Sequence, residues 1–349
     1  MYIRATANIS PQLSFNQLLK QPALYNGNRL TCMEPDYTRL IDAKMIRRMS
    51  RIIKMGTAAA LECLNGSGIK MPGAIITGTA YGCLADTELF LAKMIENREE
   101  LLTPTSFIQS THNTVGAQIA LMLKCHHYNN TFVHRGFSFE NALQDAISYM
   151  GDEQIANVLV GAVDEITDSS HAVLSRFGLY KNNVTSNLDL FSTLSKGTIA
   201  GEGAAFFLLS DERSENDYAE LKALHTLYKP ESMDQVKDNI RSFLSALSKN
   251  IDDIDLVITG ANGDWKNDRI YREFQNSLFA NKTTLRYKML CGEYPTSSAF
   301  ALWLASNILK EGIIPNVLLE QQPTGKLENI LIYNHYQGLH HSLYLLSAC

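Results

Sequence analysis

Apolar residues recur along this 349-residue chain in two alternating rhythms. From Ile41 to Leu64 they fall at 41, 45, 46, 49, 52, 53 and 55 and run into Ala58 to Ala60, which predicts one long helix. Thr87 to Ile95, Val115 to Leu123 and Phe139 to Met150 carry the same helical spacing. Between them lie short apolar runs of the kind that form buried strands: Ala74 to Gly78, Thr131 to His134, Asn157 to Val163 and Ala204 to Leu209. A second series follows. It has helices at Val236 to Leu247, Arg269 to Leu278 and Ser297 to Leu309, and strands at Leu256 to Gly260, Asn329 to Tyr333 and Leu343 to Leu346. Alternating strands and helices predict an α/β layered fold.

The two series resemble each other. Ile75-Ile76-Thr77-Gly78 is echoed by Val257-Ile258-Thr259-Gly260, and Asn157-Val158-Leu159-Val160 by Asn329-Ile330-Leu331-Ile332, about 180 residues apart. This predicts one α/β unit used twice, in halves 1–215 and 216–349. The charged stretch Ser210 to Met233 is read as the joint.

Composition narrows the function. Apolar residues make up 45% of the chain, too many for a disordered protein. The net charge is −5 and there is no basic stripe, which argues against nucleic-acid binding. The longest apolar stretch, Ala299 to Leu309, is too short to span a bilayer, and the first residues lack a signal-peptide core, so the expected compartment is the cytoplasm. None of the six cysteines lies in a Cys-x-x-Cys pair, so free thiols are expected. His126-His127, His335 and His340-His341 match no metal-ligand spacing; neither a metal nor a cofactor is expected.

The candidate chemistry lies in Tyr128 to Ala146, which reads as strand, Gly-containing turn and amphipathic helix. Such a turn presents a side chain at a helix N-terminus, where acyl-transfer enzymes place a nucleophile. Here the chain resembles the β-ketoacyl-acyl-carrier-protein synthases of the thiolase superfamily. Gly201-Glu202-Gly203-Ala204-Ala205 is similar to the family's Gly-Glu-Gly-Ala-Gly, Pro104 to Leu121 to its dimer-interface segment, and Lys288 to Glu293 to its Lys-Ser-x-x-Gly-His motif. The resemblance implies a thiolase-like fold: two similar halves in five layers, α-β-α-β-α.

Carried over residue by residue, the resemblance puts the nucleophilic Cys at Gly136, the first catalytic His at Gly260 and the second at Glu293; of the catalytic set, only Lys288 is retained. Condensation needs a thiolate, and two imidazoles to stabilise the enolate oxygen. Glycine supplies neither, and an ionised Glu293 repels an enolate. The resemblance therefore implies a chain-length factor, a non-catalytic subunit that pairs with an active ketosynthase, or else with itself. It works with an acyl carrier protein in aryl-polyene or flexirubin-type pathways of the polyketide and fatty-acid kind. Phe107, Ser110 and Thr111 are expected to line the acyl tunnel, with His112, Asn113, His134, Phe137 and Phe139 at or near the subunit interface. His112 has a helix cap as its other reading, and His134 and Arg135 are read either as contacts to a carrier-protein phosphate or as caps of the turn. Lys288 is either a relic or the partner of Glu293 in an ion pair filling the emptied site.

The enzyme alternative keeps an active synthase or acyltransferase with a displaced nucleophile. Ser138 sits close to a nucleophile elbow with His134 before it, its other reading being an N-cap. Cys291 is the thiol nearest the site, its other reading being a small buried hydrophobe.

Overall fold

A strand buried on both faces must be covered by helices on both sides, and three strands near the centre of this fold meet that condition. All eight positions of Gly203–Ser210 are buried, as are seven of the eight in Asn157–Asp164 and in His340–Ser347. The structure, a computed structural model, describes residues 1–319 and 325–349. Its strands are β1 (Tyr2–Ile9), β2 (Ala74–Gly78), β3 (Tyr128–Phe132), β4 (Asn157–Asp164), β5 (Gly203–Ser210), β6 (Ala219–Tyr228), β7 (Leu256–Thr259), β8 (Thr283–Arg286), β9 (Asn329–Tyr336) and β10 (His340–Ser347). They are ordered β3-β2-β4-β5-β1-β6-β10-β9-β7-β8. Counted within its own half, each set of five has the order 3-2-4-5-1. The echoed segments are β2 with β7 and β4 with β9, in matching places. The halves meet where Tyr2 pairs with Glu220 and Ile3 with Ala219.

The helices are α1 (Phe15–Lys20), α2 (Ala43–Ile46), α3 (Arg51–Ser67), α4 (Leu84–Glu96), α5 (Pro104–Gln109), α6 (Thr114–Leu123), α7 (Ser138–Glu153), α8 (Asp168–Arg176), α9 (Met233–Ala246), α10 (Arg269–Gln275), α11 (Lys288–Cys291) and α12 (Ser298–Glu311). Three hydrophobic clusters define the layers. One joins α3 and α6 to the first half of the sheet, through Ile52, Ala59, Ile119 and Phe206. The central one places α7 and α12 between the halves, through Phe139, Leu143, Phe300 and Leu304. The third joins α9 and α10 to the second half, through Ile240, Phe274 and Leu331. This is the five-layer α-β-α-β-α arrangement that the resemblance implies. Central position explains why α12 is apolar nearly all round. Among the described residues, no helix is long and apolar enough to cross a membrane.

The structure departs from the sequence reading at several elements. The single helix expected over Ile41 to Leu64 is two, α2 and α3, interrupted before Ser50, the N-cap of α3. Ser210 to Met233 is not all joint: β6 runs through it, its Ala219–Leu221–Ala223 alternation interleaved with Glu220 and Lys222. The edge strand β3 lies at 128–132 rather than 131–134. Partial exposure leaves it Asn-rich and weakly patterned.

Candidate functional site

The turn between β3 and α7 is built around a glycine. The chain leaves Phe132, passes through a 3-10 turn at Arg135–Phe137 and enters α7 at Ser138. A Cβ on Gly136 would lie 2.7 Å from His340 Cγ, so the imidazole at the start of β10 fills the space that a side chain here would need. His340 packs at 4.8 Å against the Phe137 ring and at 5.6 Å against His134. The side chain that does reach the neighbouring cavity from this turn belongs to Arg135, held at φ +50° with its guanidinium 5.9 Å from the Tyr81 ring. Neither residue is a nucleophile.

Ser138 is fully buried, and its hydroxyl accepts a 2.8 Å bond from the His134 N–H. It ties the turn and does not cap α7, whose N-cap position is Phe137. Cys291 is buried and donates to the Gly292 carbonyl at 3.3 Å. Burial pushes its thiol well above the usual range, the opposite of activation.

The second half supplies the other side of the site. Gly260 follows β7, and a Cβ there would lie 2.1 Å from Asn334 Oδ1 and 2.8 Å from the Tyr271 hydroxyl. Lys288 opens α11 with its side chain fully buried, and its Nζ reaches both Glu293 oxygens, at 2.9 and 2.7 Å. Asn262 Nδ2 donates to Glu293 Oε2 at 2.6 Å. The place of the expected second imidazole therefore holds a carboxylate with three donor contacts. Asp268 braces the same loop, accepting the Asn262 and Gly263 N–H groups at 2.8 Å each; burial raises its carboxyl to about 6. Lys181 Nζ anchors the loop through the Gly263 carbonyl at 2.9 Å.

Between the two sides lies a cavity of about 450 Å³. Arg135, Glu293 and Asn262 line it together with Tyr81, Tyr180 and Tyr336, and α8 contributes Val173 and Leu174. Among the described residues, no cysteine or histidine lines it. Glu165, also in the wall, is raised to about 7, mainly by burial. The cavity can hold a ligand between tyrosines and aliphatic groups, but it presents no thiol to acylate and no imidazole to polarise a thioester. Of these wall residues, only Glu293 and the turn carrying Arg135 were legible in the sequence. Tyr81 and Tyr180 come from segments with no periodic signal, and Tyr336 is the last residue of β9.

The expected interface residues divide. Phe107 is 58% exposed on α5, near Phe90 at 5.7 Å, and Ile95 on α4 and Leu101 are 79% and 92% exposed. Ser110 and Thr111 are half-buried in the α5–α6 turn, and their hydroxyls donate to the Phe107 and Ile108 carbonyls. His112 is exposed. It is not the cap of α6: Asn113 occupies that position, with no side-chain bond. His134 is also exposed. Phe137 and Phe139 require correction. Phe137 is buried against His340, and Phe139 is fully buried between Phe207 and Tyr344, so both are core residues of the chain rather than surface groups.

Other polar motifs are accounted for within the fold. Glu202 of the Gly201-Glu202-Gly203 turn is buried and paired with Arg51 through two bonds of 2.6 and 2.7 Å. Among the described residues, no cluster of three metal-ligating side chains occurs. His335 is bonded to the Asn267 carbonyl and the Gly338 N–H. His341 is bonded to the Tyr333 hydroxyl.

Duplicated halves, a helix entered through a sharp turn at the sheet edge, and a cavity between that turn and the β7 loop define a thiolase-like protein. The chain belongs to the β-ketoacyl synthase family: residues 25–232 match its profile, "Beta-ketoacyl synthase, N-terminal domain". No curated protein matches the chain by sequence. Among solved structures, the ishigamide ketosynthase/chain length factor superposes with a TM-score of 0.79 at 16% identity, covering 100% of this chain and 98% of that one. A β-ketoacyl synthase from Burkholderia phymatum STM815 gives 0.78 at 14% identity, with 100% and 99% covered. A ketosynthase in complex with its chain length factor from Xenorhabdus doucetiae gives 0.77 at 14% identity, with 100% and 98% covered. At these identities the likeness is one of fold.

Proposed function

We propose that this chain is a non-condensing, chain-length-factor-type subunit that pairs with an active ketosynthase and works with an acyl carrier protein. The observation that carries the reading is the Lys288–Glu293–Asn262 unit, standing where condensation needs an imidazole, opposite a turn that offers Gly136 and Arg135 in place of a thiol. Glycine at two positions and a glutamate at the third remove nucleophile and oxyanion stabilisation together. Exposed apolar groups on and beside α4 and α5, including Ile95, Leu101, Phe107 and Ile108, support a partner subunit on that side. In this reading Phe107, Ser110 and Thr111 shape the acyl tunnel at the contact, residues 1–215 and 216–349 act as two halves of one unit, and the pathway is of the aryl-polyene or flexirubin type.

The test is co-expression with a cysteine-containing ketosynthase and radiolabelled acyl-carrier protein. The expected result is a stable heterodimer, label on the ketosynthase alone, and a conjugated polyene product detected by its visible absorbance. Covalent label on this chain overturns the non-condensing assignment.

A further inference from the structure

A second cavity, of about 350 Å³, takes one wall from the same loop, through Ala261, Gly263 and Asp268, yet shares no lining residue with the first. It lies at the carboxyl ends of the parallel strands β7 and β8, where open α/β sheets form ligand crevices. Its charged lining is two arginines, Arg272 and Arg286, against one carboxylate, Asp268. Arg286 lies with its guanidinium 4.1 Å from the Phe191 ring centroid, and Arg272 gives Nη2 to the Trp265 carbonyl at 2.7 Å. Among the described residues, neither arginine is in an ion pair. Gln275 Oε1 accepts the Thr284 hydroxyl at 2.6 Å, which leaves its amide N–H groups as donors. The carboxylate in the wall, Asp268, already accepts two backbone N–H bonds, one on each oxygen. A guanidinium held over an aromatic ring keeps N–H groups that can receive an oxyanion. Phe191 and Leu194, the latter 75% exposed, add an apolar flank.

We propose that this cavity binds a small phosphate ester, with the oxyanion between Arg272 and Arg286 and the organic part against Phe191 and Leu194. Two fixed cations match a dianion better than a monoanion. The proposal does not rest on the subunit role above, because the cavity is separate from the first.

Calorimetric titration of the full chain with phenyl phosphate tests it, with benzoate, inorganic phosphate and benzyl alcohol as comparators. Phenyl phosphate is expected to bind tightest and benzyl alcohol not at all. Arg286→Ala is expected to weaken phenyl phosphate by about 10- to 100-fold, the range for losing a charged hydrogen bond. Arg272→Lys keeps the charge but loses the fork, and is expected to weaken it less. Phe191→Ala should weaken phenyl phosphate while leaving inorganic phosphate unchanged, and Arg241→Ala on α9 should change neither. Urea midpoints monitor folding of each variant. Absence of phenyl phosphate binding, or unchanged binding in Arg286→Ala, overturns the site; benzoate binding as tightly as phenyl phosphate overturns the phosphate assignment.

Discussion

Lys288 Nζ and Glu293 Oε2 lie 2.7 Å apart, with the lysine side chain completely buried and the glutamate side chain 11% exposed. They stand five positions apart around the sharp end of α11, where Gly292 adopts φ +76°. The lysine that the resemblance matches to the family motif thus has a carboxylate as its structural partner.

A buried pair of this kind is costly to break from one side. Glu293→Gln leaves the fully buried ammonium of Lys288 without its counter-charge, and a loss of about 3–5 kcal/mol is expected. The double variant Lys288→Met/Glu293→Gln should lose less than Glu293→Gln alone. Urea denaturation of both variants checks the order; a double variant weaker than the single one would remove the pair as the cause.

His340 and Gly136 compete for one space. Gly136→Ala is expected to cost about 1–3 kcal/mol through overpacking. His340→Gly in the same chain should recover most of that loss. Equal midpoints for wild type and Gly136→Ala would mean that the ring moves aside freely.

The thiols should react in a fixed order. Cys32, Cys63, Cys83, Cys125 and Cys291 are buried and Cys349 is exposed. Iodoacetamide on the native protein should therefore modify Cys349 first, and Cys291 only on unfolding. Rapid native labelling of Cys291, mapped by peptide mass, would contradict the buried-thiol geometry.

Glu165 links stability to pH. Its carboxyl rises from 4.5 to about 7 on folding, so between those values the folded chain holds a proton that the unfolded chain has lost. Its stabilising contribution is present in full below pH 4.5 and declines as the pH rises to about 7. The change is on the order of 2–3 kcal/mol. Glu165→Gln should lack that slope, so the slope should appear in the difference between the wild-type and variant melting profiles. Identical pH dependence in wild type and variant would contradict the shift.

Phe107 tests the tunnel role. Phe107→Ala, on the surface of α5, is expected to leave the unfolding free energy within about 0.5 kcal/mol of wild type, as for a surface site. It should lengthen the product made with the partner ketosynthase, read by mass spectrometry; an unchanged product spectrum counts against the role.

Much of the fold was legible because burial leaves a periodic trace. The helix stripe Phe139–Ala142–Leu143–Ala146–Met150 and the continuous apolar runs of β4, β5 and β9 each announce an element that packs on one or two faces. β6 carries no clear signal because Glu220 and Lys222 interrupt its alternation, and β3 is displaced from the predicted span because an edge strand needs few apolar residues. The residues at the positions to which the resemblance assigns a cysteine and two imidazoles, Gly136, Gly260 and Glu293, are also legible, because residue type is read directly from the chain. Sequence alone therefore determined the layered α/β class, the duplication and the candidate positions Gly136, Gly260 and Glu293. Tertiary structure alone decided that His340, 204 residues away along the chain from Gly136, fills its space, that Arg135 rather than Gly136 reaches the cavity, and that Phe139 belongs to the core. Those outcomes depend on which distant backbones the sheet brings within a few ångströms, and local periodicity carries no record of that.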